Sequence, residues 1–333
     1  MKRIILYILF LTTAQSFSQE LNLPVWTQYL ADNDFVVSPT FAGIGDNLKI
    51  RANGLTQWVG IKNAPDNQSI YADFRISNRS GIGVSAYNDK NGNTRQKGLK
   101  LSFAHHLILD WKSKQYLSLG LSYNINNFRI EVENFNSEYN VPIQDPAIIQ
   151  NGDRAINNNN FDAGFLYRWN KFYFSFNANN LVAKDIDDFD AATVQEPRLL
   201  LNYQMYTGYV FSPERNKDIE FEPSVFFQFF DSDNRSATDL NFKYRKFNRN
   251  GDYYWIGASY RFLNDQFLNP LNLGPMAGIL HNQLYFAYSY QLTFNDLAGF
   301  NTGTHVVTIG LNLLQSASNC PCTKGTSQSY YRL

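Results

Sequence analysis

The stretch Ser118-Leu119-Gly120-Leu121-Ser122-Tyr123-Asn124-Ile125-Asn126 decides how the rest of the chain is read. Leu119, Leu121, Tyr123 and Ile125 take every second position, and Ser118, Gly120, Ser122, Asn124 and Asn126 fill the gaps. Successive side chains of a β-strand point to opposite faces, so this period of two makes one apolar face and one small or polar face. The pattern recurs on both sides. Leu99, Leu101 and Phe103 alternate with Lys100, Ser102 and Ala104, and Leu240, Phe242 and Tyr244 alternate with Asp239, Asn241, Lys243 and Arg245. Tyr254, Ile256, Ala258, Tyr260 and Phe262 oppose Gly257, Ser259 and Arg261. Near the end, Leu284, Phe286, Tyr288, Tyr290 and Leu292 alternate with Tyr285, Ala287, Ser289 and Gln291, and Val307, Ile309, Leu311 and Leu313 with Thr308, Gly310 and Asn312.

Alternation of this kind serves either a soluble sandwich, with the apolar faces turned to a shared core, or a transmembrane barrel, with them turned to lipid. Three further features select the barrel. The aromatic content is 16%, with 27 Phe and 21 Tyr, heavy for a soluble domain but suited to a lipid-facing wall with interfacial girdles. The first residues read as a secretory signal peptide over 1–18. Lys2 and Arg3 make its positive start, Ile4 to Leu11 its apolar stretch, and Ser16-Phe17-Ser18 a small-x-small cleavage site. That apolar run is too short to cross a bilayer as a helix. The third feature is the strand number. About fourteen strands are expected, near 46–56, 67–75, 80–88, 95–109, 115–128, 160–169, 172–180, 198–211, 218–230, 237–247, 253–262, 271–280, 283–294 and 303–314.

The expected fold is therefore all-β, an antiparallel outer-membrane β-barrel of about fourteen strands that uses most of the 333 residues. Loop lengths orient it. Outer-membrane barrels have short periplasmic turns and longer external loops. With a periplasmic N-terminus, 87–94, 129–159, 181–197, 231–236 and 295–302 are external. The turns 110–114, 170–171, 212–217, 248–252 and 281–282 are periplasmic. The expected organisation is a signal peptide over 1–18, a periplasmic or plug-like segment over 19–45, the barrel over 46–314 and a periplasmic tail over 315–333, where alternation stops. Pro24, Pro39 and Pro65 fall outside strand interiors, whereas Pro223 falls inside one, where its missing N–H should break a ladder bond.

The chemistry is sparse. The formal net charge is zero, so no basic face invites nucleic acid. His105 and His106 are adjacent on a strand and face opposite sides, so they cannot chelate one metal together. No Gly-x-Ser-x-Gly signature marks a nucleophile. Asn88-Asp89-Lys90-Asn91-Gly92-Asn93 lacks the acidic spacing and closing Glu of a calcium loop and reads as a hairpin turn. The acidic run Asp185-Ile186-Asp187-Asp188-Phe189-Asp190 reads as a solvated external loop rather than a Ca²⁺ site. The two cysteines, Cys320 and Cys322, rule out a disulfide scaffold and are too few for a zinc site; an oxidising compartment would permit them to pair. No catalytic, metal or cofactor site is expected. The inward residues Lys100, Lys243, Arg245 and Arg261 could line an aqueous channel for a small solute or pair with Asp239 and Glu222.

Several blocks, in order and with consistent spacing, resemble the PorP/SprF family of type IX secretion system membrane proteins. They are Gln28-Tyr29-Leu30, Ser38-Pro39-Thr40-Phe41-Ala42-Gly43, Gln57-Trp58-Val59-Gly60-Ile61 with Ala64-Pro65, Asn88-Asp89 with Gly92, Ser102-Phe103-Ala104-His105-His106-Leu107, Tyr288-Ser289-Tyr290-Gln291-Leu292 and Gly303-Thr304-His305. The resemblance runs from about residue 24 to 314; Ser38, Gln291 and the tail with Cys320-Pro321-Cys322 depart from it. It implies a non-enzymatic component of type IX secretion in the outer membrane. Two roles go with that resemblance: anchoring the periplasmic secretion ring and its peptidoglycan-binding partner, or retaining a cognate secreted adhesin at the surface. Outer-membrane lipid is the other partner. The candidate partner-binding residues are Gln57, Trp58, Val59, Gly60 and Ile61, with Asn88 and Asp89. A Trp at a strand end also suits a simple interfacial anchor.

Overall fold

The structure, a computed structural model, describes residues 33–45, 48–131, 154–182, 201–231, 234–248, 251–266, 270–294, 299–314 and 318–324. The signal-peptide stretch 1–18, most of loop 129–159 and the acidic run 185–190 lie outside them.

Fourteen antiparallel strands form one closed barrel, each paired with its sequence neighbours and the last with the first. They are β1 Leu48–Thr56, β2 Asp66–Ser77, β3 Ser80–Asn91, β4 Thr94–Asp110, β5 Gln115–Ile130, β6 Arg154–Trp169, β7 Phe172–Asn179, β8 Asn202–Tyr209, β9 Ile219–Phe230, β10 Ser236–Phe247, β11 Tyr253–Leu263, β12 Pro270–His281, β13 Leu284–Thr293 and β14 Thr304–Leu313. Leu48 opposite Leu313 and Thr56 opposite His305 mark the closing seam. Closure leaves no unpaired sheet edge, the condition for a β-structure to sit in lipid.

The barrel settles which face of each strand meets what. On β5, Leu119 and Leu121 are 48% and 51% exposed, while Ser118 and Ser122 are at 0% and 1%. The apolar face looks outward and the small, polar face inward, the reverse of a sandwich. Leu101, Phe103, Phe242, Ile256, Phe286 and Ile309 carry the same outward belt around the wall. Trp111 and Trp169, exposed at the short-turn ends of β4 and β6, sit where amphipathic rings favour a membrane interface.

The expected bounds fail most at β6, which begins at Arg154 rather than 160; β3 and β5 also run past 88 and 128, to Asn91 and Ile130, while β8 is shorter than 198–211, at Asn202–Tyr209. β4, β5 and β6 run 17, 16 and 16 residues, against the roughly 9–11 that cross a bilayer. The surplus lies at the long-loop side, where Asn157, Asn158, Asn159 and Asn160 stand opposite Asn127, Asn126, Ile125 and Asn124. Residues 157–159 read as loop, and loop 129–159 was drawn too wide. Above the membrane both faces of a sheet are wet, so alternation fades while the ladder continues; Asn127 Nδ2 donates to Asn157 Oδ1 at 2.8 Å. Pro223 also finds its account. The β8–β9 ladder stops at Gly208 opposite Ser224 and resumes as one bridge between Phe211 and Phe221, so the proline occupies the gap.

The half of the lumen at the short-turn end is filled by the chain itself. Residues 33–45 enter as two short 3-10 turns, Asp34–Val36 and Pro39–Phe41, with Ser38 Oγ capping the second through Thr40 N at 3.3 Å. Phe35, Val37, Phe41, Ala42 and Ile44 pack with Ala104, Leu166, Tyr173, Tyr206, Val210 and Phe226 of the inner wall. Burying side chains of this size stabilises by about 1.5–3 kcal/mol each. The small inner residues of β3 to β5 make room. A Cβ on Gly120 would stand 2.6 Å from Thr40 N, and one on Gly81 2.6 Å from Gly43 Cα. His106, fully buried, lies 2.7 Å from Ser118 Oγ and 3.0 Å from the Ala42 carbonyl, while His105 turns to the other face and Ser80 Oγ. Gly43 N donates to Asp73 Oδ2, which also meets Lys49 Nζ at 3.3 Å.

The tail does not hang free. Ser318–Lys324 turns back to the barrel, with Cys320, Cys322 and Thr323 buried and the two cysteines joined as a disulfide.

Candidate functional site

At the end that carries the longer loops the lumen opens into a cavity of about 320 Å³, at the low end of the range typical of ligand pockets. Its walls come from strand ends that are distant in sequence: Leu55, Gln57 and Trp58 from β1 and the loop after it, Asp89 and Asn91 from β3, Gln96 from β4, Phe128 from β5, Gln228 and Phe230 from β9, Arg235 and Ala237 around the start of β10, Arg261 and Leu263 from β11. The lining mixes three aromatic rings and several aliphatic side chains with many polar ones, among them Gln57, Asp89, Gln96, Gln228, Arg235 and Arg261.

The loop 57–65 that carries Trp58 is held in place from both sides. Val59 N donates to the Gly303 carbonyl at 3.2 Å, and Thr302 N donates to the Val59 carbonyl at 2.9 Å, tying the loop to the segment before β14. On the other flank Gly92 N of the β3–β4 hairpin donates to the Asn63 carbonyl at 3.2 Å. Gln57 N closes the loop base on the Pro65 carbonyl at 2.9 Å. Trp58 itself has φ +46°, an uncommon backbone for a bulky residue, sustained by these ties and by the Ile61 N bond to the Trp58 carbonyl. Gly60 at φ +107° completes the reversal.

The structure therefore separates the seven candidate residues. Gln57, Trp58 and Asp89 come together in the cavity wall. Val59, Gly60 and Ile61 form the rim, where they position the loop rather than line the cavity. Asn88 is turned away and donates to Gln68 Oε1 at 2.8 Å, since it neighbours Asp89 on a strand and faces the other side. Asp89 accepts from Asn67 Nδ2 at 2.9 Å, so its carboxylate is oriented before anything binds. Phe128, Phe230 and Arg235 were not singled out from the sequence. They lie at strand ends without a local signal, and only closure of the barrel carries them to Trp58; the Arg235 guanidinium sits 5.9 Å from the Phe230 ring centre.

Beneath the cavity the inward cations are paired. Arg261 meets Asp239 through two bonds of 2.6 and 2.9 Å. Arg245 Nη1 lies 2.9 Å from Glu220 Oε2, Lys243 Nζ 3.2 Å from Glu222 Oε2, and Lys100 Nζ 2.7 Å from Asp162 Oδ2. Of the two arrangements the sequence left open for these four residues, the structure has the ion pairs, with Asp239 and Glu222 among the acceptors.

Several solved barrels share this architecture. The CymD monoaromatic hydrocarbon channel superposes with a TM-score of 0.51 at 10% identity, over 87% of this chain and 93% of that one. A Pseudomonas aeruginosa FadL homologue gives 0.46 at 9% identity, over 81% and 90%, and the Ralstonia pickettii toluene transporter TbuX 0.44 at 7%, over 86% and 93%. At such identities the likeness is one of fold. No curated protein matches the sequence. The family model described as type IX secretion system membrane protein PorP/SprF matches residues 18–311, nearly the whole chain, so the protein belongs to that family and is a membrane component of type IX secretion with an outer-membrane-type barrel fold.

Proposed function

We propose that this barrel docks proteins rather than conducting solutes, and that its extracellular cavity receives a secreted adhesin held at the cell surface. The observation that carries the reading is the contrast within the lumen. Residues 33–45 and the layer of ion pairs occupy it from the periplasmic side, while the aromatic cavity with Trp58 faces outward. A path that drew charged solutes along these residues would need their charges free; Arg261 and Arg245 are instead locked to carboxylates. Membership in the secretion family supports a protein partner.

The test combines a pull-down with a conductance measurement. The full-length protein, recovered from outer membranes, should co-purify a surface adhesin, and Trp58→Ala should release it while bulk secretion continues. In planar bilayers the purified barrel should pass little current. A large, steady, solute-selective conductance would overturn the reading in favour of a transport channel. Co-purification of periplasmic ring components in place of an adhesin would move the docking surface to the opposite end.

A further inference from the structure

We propose that Ser318–Lys324 is a latch that shuts the periplasmic mouth of the barrel and locks the N-terminal segment inside it. The chain leaves β14 at Leu314, which has φ +52°, and comes back as a compact seven-residue unit. The unit has its own internal order. Cys320 N donates to Ser318 Oγ at 3.1 Å, Ser318 Oγ lies 2.6 Å from Thr323 Oγ1, and Pro321–Thr323 forms a 3-10 turn closed by the Cys320–Cys322 disulfide. With Pro321 fixing one φ and the disulfide bridging its neighbours, few backbone conformations remain, so little entropy is lost when the unit seats.

Its outer surface is read by the barrel and by the N-terminal segment at three successive carbonyls. The Arg168 guanidinium on β6 donates one N–H to the Cys322 carbonyl and another to the Lys324 carbonyl. Between them, Gly45 N donates to the Thr323 carbonyl at 2.7 Å. Gly45 is held again from the wall, where Arg75 Nη1 donates to its own carbonyl at 3.2 Å. The Arg168 guanidinium also lies 5.5 Å from the Tyr116 ring centre, so a wall contact outside the latch helps to orient the fork. The placement has a topological meaning. Residues 33–45 precede β1 and the latch follows β14, and these two strands close the barrel. The Gly45–Thr323 bond ties the two chain ends across that seam.

The inference is independent of what docks at the other end, and amide hydrogen exchange of the folded, full-length protein tests it. Arg168→Ala and truncation after Gln315 should each raise exchange across residues 34–45 by at least tenfold, while β12 and β13 exchange as before. Arg168→Lys, which keeps the charge but loses the fork, should fall between. Dithiothreitol added to purified wild-type protein avoids any question of refolding: with both thiols shown free by mass, exchange of 34–45 should quicken. Unchanged protection of 34–45 in the reduced protein, or in any variant whose strands remain protected, would overturn the latch.

Discussion

The two halves of the lumen are built from the same strands and do opposite things with them. In the half at the short-turn end, glycine, alanine and serine on the inner faces of β3 to β5 leave a socket, and residues 33–45 fill it with Phe35, Phe41 and Ile44. At the long-loop end the inner positions are mostly amides and hydroxyls, Asn53, Asn67, Asn124, Gln204 and Gln228 among them, with the Arg261–Asp239 pair beside them, and they leave a cavity. The fit of residues 33–45 to one stretch of the inner wall thus divides one continuous wall into a plugged end and a receptive end. Across the belt around the wall the external face is apolar on every side, because lipid makes the same demand all round.

The sharpest way to break this contrast is to remove a prop. Arg261→Ala takes away the guanidinium against which both Asp239 oxygens rest, and Asp239 is fully buried. The urea-unfolding free energy of the barrel in lipid vesicles should fall by about 3–5 kcal/mol. A loss under about 1 kcal/mol would mean that the ion pairs are not what supports the receptive end.

Next in size is Trp58→Ala. If the ring anchors the docked adhesin, its truncation should cost at least about 2 kcal/mol of binding, roughly a thirtyfold loss of retention. The unfolding curve should hardly move, since Trp58 is only partly buried. Adhesin retention at the wild-type level would remove Trp58 from the site.

The plugged end is probed by Gly120→Val, which puts a branched side chain where Thr40 N leaves no space for a Cβ. Overpacking of this kind costs about 1–3 kcal/mol, and here the segment 33–45 should be displaced before the wall gives way. Limited proteolysis of the folded barrel should then cut within 33–45; an uncut segment would argue against the socket. The smallest effect belongs to the sheet above the membrane. Asn127→Ala removes one exposed side-chain bond to Asn157 and should change stability by less than about 0.5 kcal/mol in the same urea assay.

Much of this was legible in the chain. Period-two alternation arises from backbone geometry within a single strand, so Ser118–Asn126 or Val307–Leu313 announces a strand by itself, and loop lengths order the strands into a meander. The adjacency of His105 and His106 was enough to place their rings on opposite faces, as the Ala42 and Ser80 contacts bear out. The extension of β6 back to Arg154, through 157–159, was not legible, because outside the membrane no alternation is required.

What the amino-acid sequence determined by itself, then, was the strand content, the two-faced character of each strand and the family. Closure decided the rest. Only when Leu48 meets Leu313 does the apolar face become the outside, and only then do Trp58, Asp89, Phe128 and Phe230 share a wall. The meeting of Lys324 with Arg168, 156 residues apart, is likewise a matter of tertiary structure. Such contacts depend on where the circumference closes and on what fits within the remaining space, and no local periodicity encodes either.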